Sequence, residues 1–347
     1  MTTQMRREIA EQPEALARTL DALLPLTGEI RDLAAETRQV LFIARGSSDN
    51  AAAYGQYLCS VRGGRLATLA SPSVATTYQA ELDLHGVLAV AVSQSGETAE
   101  IAETLEWAKR GGARTIAVAN VAGSTLTQLA DVALVTQAGD EFAVPATKTY
   151  TTQLAAMAVL AGALAEGAAD GLEAVPGAVE ALLGTAPEPA EELAARLTYA
   201  SHLVVSGRGY AYSTALETAL KLKEACYVTA AGLSYADLLH GPIAVVDADT
   251  PALLVAAGDG PVLPGMTTLA GRIAEAGAHV YGIGGDTGFA AACRTALPGP
   301  LLPEHLAPLG LIVPAQLLTE ALARAKGIDP DAPRGLRKVT QTEPGGS

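Results

Sequence analysis

One pattern in this sequence occurs twice at a constant spacing, and this repeat limits the folds that the chain can adopt. The apolar run at residues 40–46 aligns with residues 203–209, an offset of 163 positions. A helical segment that contains Gln153 is matched by one that contains Gln316, again at an offset of 163. Internal repetition at a fixed spacing indicates a duplicated structural unit. We therefore expect the 347 residues to fold as two copies of one unit.

The first copy alternates short apolar runs with turns and helical segments. The runs lie at residues 40–44, 87–92, 115–119 and 132–135. Strands that alternate with helices are typical of an α/β fold, in which helices cover both faces of a parallel sheet. A stretch rich in Gly, Ala, Pro and Glu joins the copies and predicts helical pieces rather than a flexible linker. The predicted divisions are a first domain at residues 1–170, a connector at 171–195, a second domain at 196–330 and a tail at 331–347.

The composition argues against several classes of partner. The formal net charge is −14 and no basic block is present, which argues against nucleic acids and anionic membrane surfaces. The cysteines are scattered without metal-ligand spacing, and Cys226 is expected to be a small core residue rather than a nucleophile. The N-terminus lacks an apolar signal region, and the apolar stretch 154–165 is too short to cross a membrane. We expect a soluble, cytoplasmic protein that uses no metal and no other cofactor.

The loop at residues 93–98 contains three hydroxyl groups, a carboxamide and a glycine between a predicted strand at 87–91 and a predicted helix at 99–110. Backbone N–H groups are unpaired at a helix N-terminus, and the helix dipole there favours an anion. The loop has no Lys or Arg, so hydroxyl and amide donors would hold the anion. A phosphorylated small molecule is therefore the predicted ligand. The alternative is that Ser95 or Thr98 only caps the helix.

A second polar turn, at residues 45–50, follows the first predicted strand. Ligands of doubly wound sheets lie outside the carboxyl ends of the strands, so this turn and the loop at 93–98 can converge on one ligand. The alternative is that Ser48 or Asp49 caps the next helix. In the second copy, the loop equivalent to 93–98 has lost its hydroxyls and gained Asp259. We therefore expect one anion site per chain, in the first half.

Charged residues in the second copy have two interpretations. Glu217, Lys221 and Glu224 share one helical face, which is either an exposed salt-bridged face or a carboxylate base tuned by a lysine. His240 lies on a Gly-Pro turn, a setting in which histidines are often functional. In the first copy, the threonines at 149–152 are predicted to be exposed at a helix N-terminus, and Glu141 is predicted to face a ligand or pair with a lysine.

Taken in order, these motifs resemble the sugar isomerase (SIS) domain family, and more closely the isomerase half of the glucosamine-6-phosphate synthases. The similarity covers nearly the whole chain and includes the loop at 93–98, Thr147-Lys148, the helix at 216–224, His240-Gly241-Pro242 and the tail. Several motifs in the same order are more specific than any one of them. The resemblance implies two tandem SIS domains, each a flavodoxin-like parallel sheet with helices on both faces.

The resemblance also implies roles for individual residues. Glu224 would be the base that moves a proton between C1 and C2 of a sugar, with Lys221 and Glu217 in support. His240 would open the sugar ring and would come from the neighbouring subunit of a homodimer, and Lys338 would lie over the sugar. The substrate and its phosphate would be held by Ser47, Ser48, Ser93, Gln94, Ser95, Thr98 and Val144.

Three positions depart from the synthases. Arg45 stands in place of a small residue, Asp49 in place of an aromatic residue and Ala146 in place of a serine near the sugar. The first two changes alter the wall near the sugar head, which leaves open a substrate other than that of the synthases. The sequence starts where the isomerase half starts, so glutamine-dependent synthesis by this chain alone is not expected. Free-standing SIS proteins of this length include glucosamine-6-phosphate deaminases and fructosamine-phosphate deglycases.

The leading functional hypothesis is therefore a deaminase or isomerase of a 2-amino-2-deoxy-hexose 6-phosphate, most simply glucosamine 6-phosphate. All candidate enzymes share removal of the C2 proton by a carboxylate. One alternative is a dehydratase that eliminates water from N-acetylglucosamine 6-phosphate. The others are a fructosamine-phosphate deglycase and a sensor that binds a sugar phosphate without turnover.

Overall fold

The computed structural model describes residues 2–336 and Lys338, so most of the predicted tail lies outside the described residues. Contacts divide the chain into two compact units. The first-repeat unit contains residues 14–141 and 148–172 together with Lys338. The second-repeat unit contains residues 2–13, 142–147 and 173–336. The two short segments thus pack with the second repeat, although the sequence-based divisions group them with the first.

A parallel sheet of five strands organises the first-repeat unit. Its strands are β1 (Gln39–Ile43), β2 (Leu66–Leu69), β3 (Val87–Val92), β4 (Arg114–Ala119) and β5 (Val132–Val135). Their order across the sheet is β2-β1-β3-β4-β5. Strands β1 and β3 pair directly although they are not consecutive in the chain. The chain reverses its direction of travel across the sheet at this pair, and such a switch point is where doubly wound folds bind ligands.

The second-repeat unit contains a second sheet with the same connectivity. Its strands are β6 (His202–Gly207), β7 (Thr229–Ser234), β8 (Ala252–Ala256), β9 (Val280–Gly284) and β10 (Thr295–Leu297). Read from β7, their order is β7-β6-β8-β9-β10, which repeats the order of the first sheet. All the pairings in both sheets are parallel. The prediction of two flavodoxin-like α/β copies is confirmed.

Helices follow the strands as the alternating pattern predicts, and the connector between the repeats is helical. No helix in the described part of the chain is both long and apolar enough to cross a membrane. The α-helices of the described residues are α1 (Gln4–Ala10), α2 (Gln12–Leu23), α3 (Thr27–Leu33), α4 (Ser47–Val61), α5 (Ser73–Thr76), α6 (Ala99–Arg110), α7 (Thr125–Leu129), α8 (Lys148–Leu164), α9 (Val175–Thr185), α10 (Pro187–Leu197), α11 (Ala211–Cys226), α12 (Tyr235–Leu239), α13 (Leu263–Glu275), α14 (Thr287–Ala292) and α15 (Pro308–Ala325).

The prediction of exposed threonines at the start of α8 is wrong. Thr149, Thr151 and Thr152 are buried, with at most 1% of their surface exposed. Helix α8 is buried on all sides over its first four turns, so even its polar residues face other elements. The hydroxyls are satisfied locally, since Thr152 Oγ1 donates to the Thr149 carbonyl at 3.0 Å and Thr149 Oγ1 donates to Glu141.

Opposite faces of the first sheet are covered by α4 with α8 and by α6. Phe42 of β1 points towards α4 and α8, where its ring approaches Gly55. The next residue, Ile43, packs with Ile101 and Leu105 of α6. Successive strand residues face opposite sides of a sheet, so β1 holds both helix layers in place. The N-termini of α4 and α6 therefore lie at one edge of this sheet.

Gly55 sets how closely α4 approaches α8. A Cβ atom at this position would lie 2.7 Å from Met157 Sδ and 2.8 Å from Phe42 Cζ, whereas one at Gly28 of α3 would meet nothing within 4 Å. We predict that Gly55→Val lowers the free energy of unfolding by about 1–3 kcal/mol through overpacking, measured by urea denaturation. The matched substitution Gly28→Val should change it by less than about 0.5 kcal/mol. Equal effects of the two substitutions would contradict this packing argument.

Candidate active site

The N-termini of α4 and α6 follow β1 and β3 at the switch point of the first sheet. Thr98 is the N-cap of α6, yet its side chain makes no capping hydrogen bond. The N-cap of α4 is Gly46, which has φ +58° and no capping side chain. The interpretation of Ser48, Asp49, Ser95 or Thr98 as simple helix caps is therefore wrong for both helices. The helix N-termini keep N–H groups available to an anion.

The hydroxyl groups of the loop at 93–98 make contacts within the loop instead of capping α6. Ser93 Oγ lies 3.2 Å from Thr98 Oγ1, and the N–H of Gly96 donates to Ser93 Oγ at 3.3 Å. Ser95 Oγ accepts from the N–H of Glu97 at 3.2 Å. The side chain of Gln94 makes no hydrogen bond to any described residue and is half-buried. The loop thus presents hydroxyl and amide groups at one end of the sheet.

The segment that follows β4 stabilises the conformation of the loop at 93–98. Glu97 accepts from Thr125, through the backbone N–H at 3.0 Å and the hydroxyl at 2.7 Å, and these hydrogen bonds hold the pKa of Glu97 below its usual range. Gly96 has φ +70°, and a Cβ there would lie 2.1 Å from Ser124 Oγ. The loop conformation therefore requires glycine at this position and is fixed by contacts outside itself.

An ion pair links the two polar turns. Arg45, after β1, binds Glu100 in the first turn of α6 through two contacts, Nε to Oε2 at 3.0 Å and Nη2 to Oε1 at 2.9 Å. The guanidinium charge is thus matched by a carboxylate. Burial raises the pKa of Asp49, and Arg45 lowers it in part. Two of the residues that depart from the synthases therefore lie together at this edge of the first sheet.

A residue that the sequence analysis did not assign to the site lies behind Ser48. Gln153 of α8 is buried, and its Nε2 donates to Ser48 Oγ at 3.0 Å. Ser48 itself is 8% exposed, and Ser47 beside it is half-buried. The equal offset between Gln153 and Gln316 marked the position as a feature of the repeat, but nothing in that pattern indicated its partner.

Glu141 is predicted either to face a ligand or to pair with a lysine, and in the structure it pairs with Lys338. Its carboxylate accepts from Lys338 Nζ at 2.7 Å and from the N–H and hydroxyl of Thr149 at 3.1 Å and 2.6 Å. The Glu141 side chain is fully buried in this pair and that of Lys338 is 24% exposed. Because Glu141 accepts from the start of α8, it anchors Lys338 to a fixed part of the first-repeat unit.

The acidic and basic residues of α11 are not an exposed surface pattern. In the second-repeat unit, Lys221 is 1% exposed and Glu217 is fully buried, with Lys221 Nζ 3.6 Å from Glu217 Oε1. Lys221 also donates to Glu224, whose side chain remains 24% exposed. Of the two carboxylates on this face, only Glu224 is accessible to a ligand. The burial of Glu217 and Lys221 excludes the interpretation that they belong to an exposed, salt-bridged helical face.

His240 ends α12 and is exposed. Its Nδ1 lies 2.7 Å from the carbonyl oxygen of Ala236, so Nδ1 carries a proton and donates it. In the neutral ring Nε2 is then the acceptor.

The second-repeat unit also contains Val144, whose backbone N–H donates to the Asp331 carbonyl at 3.1 Å. Glu8 holds the preceding backbone by accepting from the N–H of Phe142 at 2.5 Å.

The equivalent edge of the second sheet carries carboxylates where the first carries hydroxyls. A Cβ at Gly260 would lie 2.3 Å from Glu304 Oε2, so the Glu304 carboxylate lies against this turn. Burial raises the pKa of Glu304, and the nearby charge of Asp259 raises it further. Negative groups at this turn disfavour a bound anion. The second copy keeps the fold without the features of an anion site.

Comparison with known proteins shows the family to which the chain belongs. The family model described as "SIS domain" matches residues 33–163 and 196–290, so the chain belongs to the SIS domain family. It is 33% identical to the glutamine–fructose-6-phosphate aminotransferase (isomerizing) of Pyrococcus horikoshii, over 98% of this chain and 58% of that protein. The chain thus spans less than two thirds of the length of the curated relatives that it matches.

Two solved structures share the fold. The C-terminal domain of glucosamine-fructose-6-phosphate aminotransferase from Francisella tularensis aligns with a TM-score of 0.87 and 28% identity, over 96% of this chain and 99% of that one. Glucosamine-6-phosphate deaminase from Thermotoga maritima aligns with a TM-score of 0.80 and 23% identity, over 98% and 100%. At that identity the second match supports the fold alone. Both matches agree with a fold built from two SIS domains.

The three cysteines are buried, as predicted for Cys226. Burial raises the pKa of each thiol to about 12, and Cys226 Sγ donates to the Thr319 carbonyl at 3.2 Å. At pH 8 a thiol with that pKa is ionised to about one part in ten thousand. We predict that the native protein does not react with dithionitrobenzoate at pH 8 over an hour, whereas the urea-unfolded chain shows three reactive thiols. Rapid release of chromophore from native protein would contradict the assignment.

Proposed function

We propose that this chain removes the C2 proton of an open-chain 2-amino-2-deoxy-hexose 6-phosphate, and that it acts as a glucosamine-6-phosphate deaminase or isomerase. The observation that carries the proposal is the pair of helix N-termini at the β1–β3 switch point, neither of which has a capping side chain. They are bordered by the hydroxyls of Ser48, Ser93 and Thr98. A phosphate monoester offers the acceptor oxygens that such donors require.

The phosphate would be bound mainly by neutral donors. Arg45 is the basic residue of the two polar turns, and its guanidinium is held by Glu100. Hydroxyl groups, the Gln94 amide and helix N–H groups would then complete the cradle. Hydrogen bonds to a charged acceptor are stronger than those between neutral groups, so several of them can hold a phosphate without a lysine.

Helix α11 carries two carboxylates, and only that of Glu224 is accessible. Glu224 is therefore the proposed base. It would take the C2 proton while the C1 oxygen gains a proton, which gives an enolamine. Return of a proton to C1 gives the 2-imine, and water then replaces nitrogen, releasing ammonia and fructose 6-phosphate. Lys221 contacts Glu224 and Glu217, and this ion-pair network would keep the base in position.

His240 and Lys338 complete the proposed set. Because Nδ1 of His240 donates to Ala236, Nε2 is available to accept the proton of the anomeric hydroxyl and open the ring. We propose that His240 serves a second copy of the chain in a homodimer. Lys338 is proposed to lie over the sugar, and Val144 to contact it.

One assay separates the proposed reaction from its alternatives. The protein is incubated with glucosamine 6-phosphate and, separately, with N-acetylglucosamine 6-phosphate, and ammonia, ketose and an ultraviolet-absorbing enone are followed. Ammonia and ketose from the free amine alone are the expected result. Enone from the acetylated sugar alone would identify a dehydratase. Binding without any product would identify a sensor, and both outcomes would overturn the proposal.

We predict that Glu224→Gln lowers kcat about 10²- to 10⁴-fold, the contribution of a general base, while the Kd for glucosamine 6-phosphate changes little. Steady-state kinetics and calorimetry provide the two readouts. Glu275→Gln, the same change on an exposed residue of α13, is the matched control and should retain activity. Wild-type kcat in the Glu224 variant would refute the assignment of the base.

We predict that Ser95→Ala combined with Thr98→Ala weakens the binding of glucosamine 6-phosphate by about 10²-fold or more, since each hydroxyl bound to a charged group contributes roughly 1.5–3 kcal/mol. Binding of glucosamine, which lacks the phosphate, should be little affected. The control is Ser60→Ala with Thr77→Ala, which removes two exposed hydroxyls of the same unit. An equal loss for both ligands would argue against a phosphate cradle.

A further inference from the structure

Gln153 combines deep burial with a single partner. It is 3% exposed, and the one hydrogen bond of its side chain to the described residues runs from Nε2 to Ser48 Oγ. Its Oε1 is buried and makes no hydrogen bond within the described part of the chain. Burying an amide whose carbonyl oxygen makes no hydrogen bond is unfavourable. A role in holding Ser48 explains why a glutamine rather than an apolar residue occupies this position in α8.

The direction of this hydrogen bond fixes what Ser48 can do. A serine hydroxyl has one proton and two lone pairs. Because Gln153 donates to Ser48 Oγ, one lone pair is occupied and the proton remains available. Ser48 donates to no described residue, unlike Thr104 and Thr218, whose hydroxyls donate to the carbonyl four residues earlier in their own helices. Its proton is thus free for a ligand at the N-terminus of α4.

The second repeat offers an internal comparison. At the offset of 163, Ser48 corresponds to Ala211 and Gln153 to Gln316. Where the hydroxyl is absent, the glutamine amide serves another purpose: Gln316 Oε1 accepts from Gln12 at 2.8 Å and its Nε2 donates to the Thr147 carbonyl at 3.2 Å. Glutamine is thus retained in both copies, but it contacts the turn after the first strand only where a serine is present.

We infer that Gln153 is a positioning residue that directs the hydroxyl proton of Ser48 towards the phosphate of the substrate. This inference rests on the proposed sugar-phosphate function. Gln153 itself touches no ligand. It acts by occupying the lone pair of Ser48 that faces the protein interior, so that the Ser48 hydroxyl donates outward without first reorienting.

A double-mutant cycle tests the inference on the full chain. Gln153→Met should raise the Kd for glucosamine 6-phosphate about ten-fold, the loss of roughly one well-aligned hydrogen bond to a charged group. Introduced into a Ser48→Ala background, the same substitution should have no effect on the Kd, because no hydroxyl remains to direct. A ten-fold loss in both backgrounds would show a purely structural role and overturn the inference.

Gln153→Glu provides a second variant of the same size and shape. A carboxylate only accepts, so Ser48 would donate inward and lose its contact with the phosphate. The added negative charge also weakens anion binding, but this part persists in the Ser48→Ala background. The expected result is therefore a larger loss of affinity in the wild-type background than in the Ser48→Ala one. Equal losses would overturn the inference even if Gln153→Met does not fold.

Two controls separate this inference from the proposed function. Gln56→Met, on α4, removes a glutamine amide that donates to the Ala67 carbonyl at 3.2 Å, and should leave the Kd unchanged. Ser95→Ala with Thr98→Ala reports on the cradle itself. If that double variant loses phosphate affinity and Gln153→Met does not, only the role of Gln153 is wrong. If neither changes the affinity, the proposed cradle fails and this inference fails with it.

Discussion

The pairing of β1 with β3 is the constraint on which the first-repeat unit depends. The two strands pair in parallel from Gln39 with Val87 to Ile43 with Ala91. Because this pair lies where the chain reverses its path across the sheet, the helices that follow the two strands cover opposite faces. The hydroxyl-rich turns then meet at one edge. A slip of one residue would turn the side chains of a strand to the wrong faces and separate these turns.

Duplication left the second sheet with the same frame and different chemistry. The strand order is identical in the two sheets. At the turn where the first repeat has hydroxyls, the second has Asp259 with Glu304 packed against it. The second repeat instead supplies the buried charges of α11, where Lys221 contacts Glu217 and Glu224. One fold thus carries two kinds of polar site, because the frame constrains the sheet edge but not the side chains presented there.

The sequence predicts the features that depend on residues close together in the chain. The strand at β3 and the helix at α6 follow from a continuous apolar run and from a pattern that begins after Thr98. The contacts that shape the cradle join distant residues, 55 positions apart for Arg45 with Glu100 and 105 for Ser48 with Gln153. The prediction for the threonines of α8 fails for the same reason, since hydroxyl density near a helix start does not reveal that the first four turns of the helix are buried on all sides.

The burial of the cysteines has a practical consequence. Since Cys59, Cys226 and Cys293 are all inaccessible, the native chain provides a silent background for site-specific labelling. A cysteine introduced at an exposed position such as Tyr78, which is 78% exposed, would be the sole group to take a maleimide dye or spin label. Distances and motions in this protein can therefore be followed with single reporters, without first removing the natural thiols and disturbing the cores they help to fill.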